Sequence, residues 1–341
     1  MEFKTFTAGT DDEGRRLDRV ASRIMEGAGI RKSLFAEIRK GLVRVNERKS
    51  KPDQHINSGD KISIAAFLFS TTREESKVQA GTRHQEPQVI SGEELKYIEE
   101  NTLFRNSHLL ILNKKAGISV QPSKGSGKSL SQMVESLWQQ ESHSQSLSFR
   151  PGPLHRIDRW TSGAIVFSQS LEGAKWFTKA MAEHKIKKTY IAVTEGFYGS
   201  TTEDYEDLIL SEEKPLAEGG FSTVKVYPAQ HQPIPREAKN AITHARILQQ
   251  RTINGRELSL VEFTIETGRK HQIRAQSAFH GHPLYGDTAY GGRKNADDMF
   301  FLHACSLEFP GDNPMEAPTL VTAPLSDIFL DFVLLNFKNA L

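Results

Sequence analysis

The chain has 341 residues, 37% apolar and 25% charged, a globular composition that excludes a disordered or fibrous protein. No apolar run approaches the roughly 18 residues of a membrane helix, and the N-terminal residues lack the basic start and apolar stretch of a secretory leader. A single cysteine, Cys305, excludes an internal disulfide framework, and the expectation is a cytoplasmic protein without a membrane segment.

The net charge of +2 conceals a local imbalance. Between Gly14 and Lys51 twelve Lys and Arg face four Asp and Glu, an excess of eight that leaves the remainder of the chain acidic. Such an excess suits a polyanion, because neutralising phosphates releases condensed counterions; a solvated helical face accounts for it equally well on composition alone.

Leu17 to Ala28 reads as a helix with Leu17, Val20, Ala21 and Ile24 on one face, ended by Gly29. Ile30 to Lys40 reads as a second, with Leu34, Phe35 and Ile38 inward and Arg31, Lys32, Arg39 and Lys40 available to a ligand. VRVN and GDKISI then read as short strands, closing a compact basic unit near Phe69. Ser70 to Ile90 is polar and aperiodic, a linker. The expected organisation is a small α/β domain over residues 1–69, a linker over 70–100 and a large domain over 101–341.

Within the large domain, Leu109 to Asn113 is a short apolar run. Ser129 is placed to cap a helix carrying Leu130, Met133, Val134, Leu137 and Trp138 on one face. Ala164 to Phe167 reads as a buried strand, Leu171 to His184 as a helix and Tyr190 to Val193 as a strand. Ile242 to Leu248 and Leu258 to Ile265 read as antiparallel neighbours, and Phe301 to Phe309 as another strand. Phe197 to Asn240 reads as irregular surface with an acidic cluster at Glu203, Asp204, Glu206 and Asp207. Strands and helices interleave without a steady βαβ rhythm, which favours a mixed α+β sheet.

Three stretches carry chemistry. In PLHRIDRWTSGAIVFSQS a polar loop with His155, Arg156, Asp158 and Arg159 runs into an apolar strand, the kind of scaffolded loop on which catalytic groups sit. Asp158 is a candidate nucleophile or base; its alternative is a structural Asp–Arg pair in a surface turn. In IETGRKHQIRAQSAFHGHPLYGDTAYGG a strand ends and a helix begins with Arg269, Lys270, His271 and Arg274. Cations there oppose the helix dipole and imply a facing anion. In KIKKTYIAVTEG three lysines precede a strand bearing Tyr190, either packing or a stacking platform for a base.

GSGKS, Gly125 to Ser129, fails as a phosphate loop because Pro122 stands where its first glycine belongs. His280, His282 and His303 lack a supporting carboxylate or thiolate set for a metal, and Cys305 lies in an apolar strand as a buried thiol.

HRIDRWTSG resembles the HRLDRxTSG signature of the RluA-like family of RNA pseudouridine synthases. LLILNKKAGISVQP, KKTYIAVTEG, TGRKHQIR, GHPLYGDTAYGG and LHACSLEF resemble that family's other landmarks, in order, over roughly Leu103 to Asp327. FAEIRKGLVRVNERKSKPDQHINSGDKISI resembles the small RNA-binding module named after a ribosomal small-subunit protein, which often precedes this catalytic domain. The resemblance implies the pseudouridine synthase catalytic fold, with a mixed, largely antiparallel sheet and flanking helices. It implies Asp158 as the essential aspartate, Tyr190 as the tyrosine against the target base, Arg274 as the arginine paired with the aspartate, and Arg156 near the displaced nucleotide. Arg269 joins Arg156 and the four basic residues of the N-terminal unit as an expected RNA contact. Neither metal nor organic cofactor is implied, and a monomer acting on RNA, most naturally large-subunit ribosomal RNA, is expected.

The reaction breaks the bond from ribose to the uracil nitrogen, turns the base and rejoins it through carbon 5. A carboxylate serves this by attacking ribose, by attacking uracil or by removing a sugar proton. The base must first leave its stack. Competing readings are a noncatalytic RNA-binding relative, which would have lost Asp158, Tyr190 or Arg274, and a glycosidase or nuclease, which would normally show a second catalytic carboxylate. Four departures from the family pattern, Trp160, Lys115, Gln276 and a Phe197 to Asn240 segment longer than a minimal member needs, bear on RNA choice more than on chemistry.

Overall fold

The computed structural model describes residues 1–25, 34–69, 90–123, 127–141, 146–211, 223–230, 233–296 and 298–337. They form two compact units. One comprises Met1–Lys96, Met133–Gly152 and Gln169–Glu172, and the other Tyr97–Gln132, Pro153–Ser168 and Gly173–Leu341.

The first unit holds strands β1 (Phe3–Thr7), β2 (Val43–Val45), β3 (Arg48–Lys49) and β4 (Lys61–Ala65), ordered β1-β4-β2-β3 and antiparallel throughout. Helices α1 (Leu17–Ile24) and α2 (Leu34–Lys40) belong to the same unit. Leu17, Val20 and Ala21 recur at helical spacing and are buried with Ile38, Val43, Val45, Ile62 and Ile64 in one apolar cluster. Phe35 departs from the expected inward set. Ile38 is fully buried four residues after Leu34, whereas Phe35 lies round the helix and is 45% exposed. Arg31 and Lys32 lie outside the described residues; Arg39 and Lys40 are exposed at the end of α2. Asp12 is fully buried. Its carboxylate accepts the hydroxyls of Ser146 and Ser148 and the amides of Gly9, Leu147 and Ser148.

Helix α3 (Gly92–Glu100) falls in the last part of the span read as linker. It starts on a capping box, with Ser91 Oγ accepting from the Glu94 amide at 3.2 Å and Glu94 accepting from the Ser91 amide at 2.9 Å. The rest of the chain forms β5 (Thr102–Arg105), β6 (Leu109–Lys114), α4 (Leu130–Gln140), β7 (Ser162–Ser168), α5 (Leu171–Ala182), β8 (Lys187–Glu195), β9 (Thr202–Ser211) and β10 (Val224–Pro228). It continues with β11 (Lys239–Ile253), β12 (Arg256–Ile265), α6 (Gln272–Phe279), β13 (Leu302–Glu308), β14 (Leu320–Thr322) and α7 (Asp327–Asn336). The architecture is α+β, as expected.

The strands of the second unit build one sheet in the order β10-β9-β11-β12-β8-β13-β7-β6-β5, with β14 on β13. Among its described pairings only β7 with β13 is parallel. β11 and β12 are antiparallel neighbours as read from sequence. Their turn is Asn254-Gly255, both at positive φ, the backbone a two-residue hairpin needs. Ser129 caps α4 as expected: its hydroxyl accepts from the Gln132 amide at 3.4 Å, and its amide donates to Gln132 at 2.9 Å.

The stretch Phe197 to Asn240 is not irregular where it is described, since it supplies β9, β10 and the start of β11. Nor is its acidic cluster all surface. Asp207 is buried, accepting from Gln276 at 2.8 Å and hydrogen-bonded to His280 at 3.0 Å. The carboxylate sits inside because α6 supplies partners for it. None of the described helices is long and apolar enough to cross a membrane.

Candidate active site

The loop between Pro153 and Thr161 leads into β7, which is buried along its whole length. Two elements hold that loop. His155 Nε2 accepts the Val166 amide at 3.0 Å, which requires an unprotonated nitrogen; burial, then the charge of Lys188, pushes His155 down to about 3. On the other side Lys114 is fully buried at the end of β6. Its ammonium donates to the carbonyls of Lys115 and Ile118 at 3.0 Å and of Arg159 at 2.9 Å. Burial pushes it down to about 7, with Asp158 pulling the other way. Gly117 and Arg159 complete the clamp, the Gly117 amide donating to the Arg159 carbonyl and Arg159 Nε donating back, both at 2.9 Å.

Asp158 stands on this loop and is mostly buried. Arg274, in the first turn of α6, donates Nη1 to it at 3.0 Å. The same guanidinium donates Nε and Nη2 to Asp287 at 2.7 and 2.9 Å, a two-pronged pairing that fixes its plane. It also lies over the rings of Phe300 and Tyr290, at 4.4 and 5.0 Å. Burial works against its charge, and the carboxylates of Asp287 and Asp158 outweigh that, holding its pKa above the ordinary value. The anion implied by cations at the start of α6 is therefore the protein's own pair of carboxylates.

His271 precedes α6 in a left-handed conformation, φ 53°, and its Nε2 lies 3.7 Å from Asp158. Burial pushes it down to about 4, against the pull of Asp158, so the ring is neutral. Tyr290 accepts the Val224 amide and shares a 2.9 Å hydrogen bond with His271 Nδ1; donating there leaves the proton of the ring on Nε2, facing Asp158.

Asp158 lies on the wall of two cavities. The larger, about 880 Å³, is lined by Ser119 to Ser123, the loop residues Pro153 to Trp160, His271, Arg274 and Asp287 to Ala289. The smaller, about 300 Å³, is lined by Arg156, Asp158, Lys188, Tyr190, Arg269 and His271, among others. Tyr190 is buried on β8. Burial, then the nearby charge of Asp158, raises its phenol well above the ordinary value, so it is a neutral ring. Asp158, Tyr190, Arg274, Arg156 and Arg269 thus share one cavity, although Arg269 also donates Nε to the Asn240 carbonyl at 2.8 Å. Arg39 and Lys40 belong to the first unit, where Lys40 pairs with Glu37 at 2.9 Å.

Sequence reasoning passed over Lys114 and Asp287. NKKAG and YGDTAYGG carried them as turn residues, and only burial reveals their tasks. Gln276 is wholly enclosed by Thr243, Asp207 and the carbonyls of Tyr205 and Ala241, so its place is structural. Trp160 is exposed beside the larger cavity. The rings of His280 and His282 stack on Tyr205 and Tyr198, and His303 lies between Ser162 and the Ala323 carbonyl. Burial raises the Cys305 thiol to about 11.

Asp158, held by Arg274, thus shares a cavity of about 300 Å³ with the ring of Tyr190. Residues 108–279 match the family described as RNA pseudouridylate synthase; the chain belongs to that family and is an RNA pseudouridine synthase, an isomerase acting on RNA. Its relatives include the protein named ribosomal large subunit pseudouridine synthase C in Salmonella typhi, 26% identical with 92% of each chain covered. The protein of the same name in Haemophilus ducreyi is 29% identical, covering 94% of this chain and 91% of the relative. Among solved structures, human RNA pseudouridylate synthase domain containing 4 superposes with a TM-score of 0.54 at 20% identity. The match covers 70% of this chain and 93% of that one, a likeness of fold.

Proposed function

We propose that the protein isomerises specific uridines of large-subunit ribosomal RNA, with Asp158 as the catalytic carboxylate. The observation that carries the reading is the position of Asp158, on the wall of both cavities and tied to Arg274 at 3.0 Å. Tyr190 packs against the extruded uracil. Arg274 fixes the orientation of the carboxylate, and Arg156 and Arg269 contact the displaced nucleotide and its phosphates. The curated relatives, whose names specify the large ribosomal subunit, align with nearly the whole chain, and this supports the choice of RNA.

Residues 1–69 act as an RNA-binding domain of the ribosomal small-subunit protein type, and residues 101–341 as the catalytic domain. Basic side chains in the first unit support that role. Arg39 and Lys40 are exposed at the end of α2, and Arg15, Arg16, Arg19, Arg23 and Arg150 line a cleft of about 720 Å³. The protein works in the cytoplasm, as a monomer and without a cofactor. Mapping pseudouridine in RNA from cells with and without the gene tests the reading. Loss of discrete sites in large-subunit RNA, restored by the parent and not by Asp158→Asn, is the expected result; an unchanged ribosomal map would overturn the choice of RNA.

A further inference from the structure

Two lysines of the second unit are buried, and their surroundings differ. Lys114 satisfies its three N–H donors on three carbonyls, as a structural ammonium should. The side chain of Lys188, 4% exposed, makes no hydrogen bond or ion pair among the described residues. A side chain this enclosed whose ammonium meets only the cavity is costly to keep charged, and a ligand entering the cavity would complete it.

The fold places that ammonium with the chemistry. Lys188 and Tyr190 are two residues apart on β8, so their side chains leave the same face of the sheet. Both line the 300 Å³ cavity whose wall includes Asp158. Its other cations are differently occupied: Arg274 serves Asp287 and Asp158, Arg269 is bonded to the Asn240 carbonyl, and Arg156 is exposed. Burial, then the charge of Arg269, pushes Lys188 down to about 8, and Lys188 in turn depresses His155.

The reaction develops negative charge on the base by every route. If ribose is attacked or loses a proton, the C1′–N1 electron pair leaves with uracil and spreads over N1, O2 and O4. If the carboxylate adds at C6, its electron pair pushes charge through C5 onto O4. After the base turns, C5 bonds to C1′, the C5 proton departs and N1 takes up a proton, so the product is an isomer of the substrate. We propose that Lys188 is a further catalytic residue, whose ammonium donates a hydrogen bond to a uracil carbonyl oxygen and holds the charge that develops there while the base is detached. This deepens the proposed role of the cavity and rests on the base entering it beside Tyr190. A preplaced donor in a site closed to water acts where charge appears and costs no reorganisation.

The test uses the full chain and total RNA labelled with [5-³H]uridine from cells lacking the protein, in which any natural substrate is present. Each isomerisation frees the C5 tritium to water, and single-turnover release measures it. For Lys188→Met, release should slow about a hundredfold, the loss typical of one such donor. RNA affinity and thermal melting should stay close to the parent's. For Lys188→Arg, which keeps a charged donor, most of the rate should return. The parent's kcat/KM should fall above about pH 8 as the ammonium loses its proton, whereas that of Lys188→Arg should stay level to pH 9. If Lys188→Met proves unstable, the comparison of the parent and Lys188→Arg pH profiles decides alone. Lys188→Met within about threefold of the parent, or identical alkaline limbs in the parent and Lys188→Arg, would overturn the inference. Release confined to RNA other than large-subunit RNA would overturn the proposed substrate and leave Lys188 in its role.

Discussion

Arg274 gives two N–H groups to Asp287 and one to Asp158, so the loop carrying Asp158 is oriented by a cation that another carboxylate has already fixed. Removing Asp287 should therefore harm both fold and chemistry. Asp287→Ala leaves a buried guanidinium with a single partner and is expected to destabilise by about 3–5 kcal/mol, with slower tritium release. Asp287→Asn, which keeps one acceptor, should fall between it and the parent. Chemical denaturation and single-turnover assays at matched folded fractions check both.

Asp158→Asn keeps the shape of the side chain and one acceptor for Arg274, and removes the charge that serves as nucleophile or base. Isomerisation should drop at least about a thousandfold while RNA affinity and melting temperature hold. Retained pseudouridine formation by the purified variant would remove Asp158 from its assigned role.

The parallel junction of the sheet, between β7 and β13, depends on Gly163. A Cβ there would lie 2.3 Å from the Ala304 carbonyl oxygen, and φ is +106°. Gly163→Ala has backbone on both sides of the clash, so neither strand yields cheaply. We expect a loss of about 2–4 kcal/mol, read by urea denaturation. Because β7 follows the Asp158 loop, activity should fall with it.

Acid should weaken the fold through two imidazoles whose titration desolvation depresses. His303 is enclosed between Ser162 and the Ala323 carbonyl and pushed down to about 4 by burial; His155 is pushed to about 3. Unfolded, both titrate near 6.5. Between these values the unfolded chain binds protons that the folded chain refuses. Their stabilisation is complete above pH 6.5 and is lost as pH falls toward 4, by about 1–3 kcal/mol for each ring. His303→Gln should be less stable at neutral pH and show a shallower decline between pH 6.5 and 4.

Neutralising Arg31, Lys32, Arg39 and Lys40 together should weaken RNA binding and flatten its dependence on salt. Four lost phosphate contacts correspond to a slope smaller by about 3 in log affinity against log salt. Filter binding across a salt series measures it. A slope equal to the parent's would mean that this basic face is merely solvated.

Much of the fold was legible where one strong local signal sufficed. The apolar face after Ser129 announced α4, and the strands read at Ile242 to Leu248 and Leu258 to Ile265 lie within β11 and β12. β9 was not legible, because its acidic residues mask the alternation and the partners that bury Asp207 come from α6, far along the chain. Phe35 looked like core since helical spacing alone does not say how wide the buried stripe is. The site divided in the same way. Asp158, Tyr190 and Arg274 were marked by motif resemblance, but Lys114 and Asp287 differ from turn residues only through burial, and Lys188 stands apart only because its side chain meets no partner among the described residues.

The enclosure of Asp12 bears on how such a protein can be dissected or recombined. The serines and amides of residues 146–148 that converge on its carboxylate come from sequence well beyond the basic N-terminal segment. A chain cut after Phe69, or given a foreign leader domain, would leave those donors without their acceptor. The N-terminal segment is accordingly no interchangeable cassette. Grafts and truncations at that seam would report on a damaged loop, whereas point charges changed on the intact chain leave the seam whole.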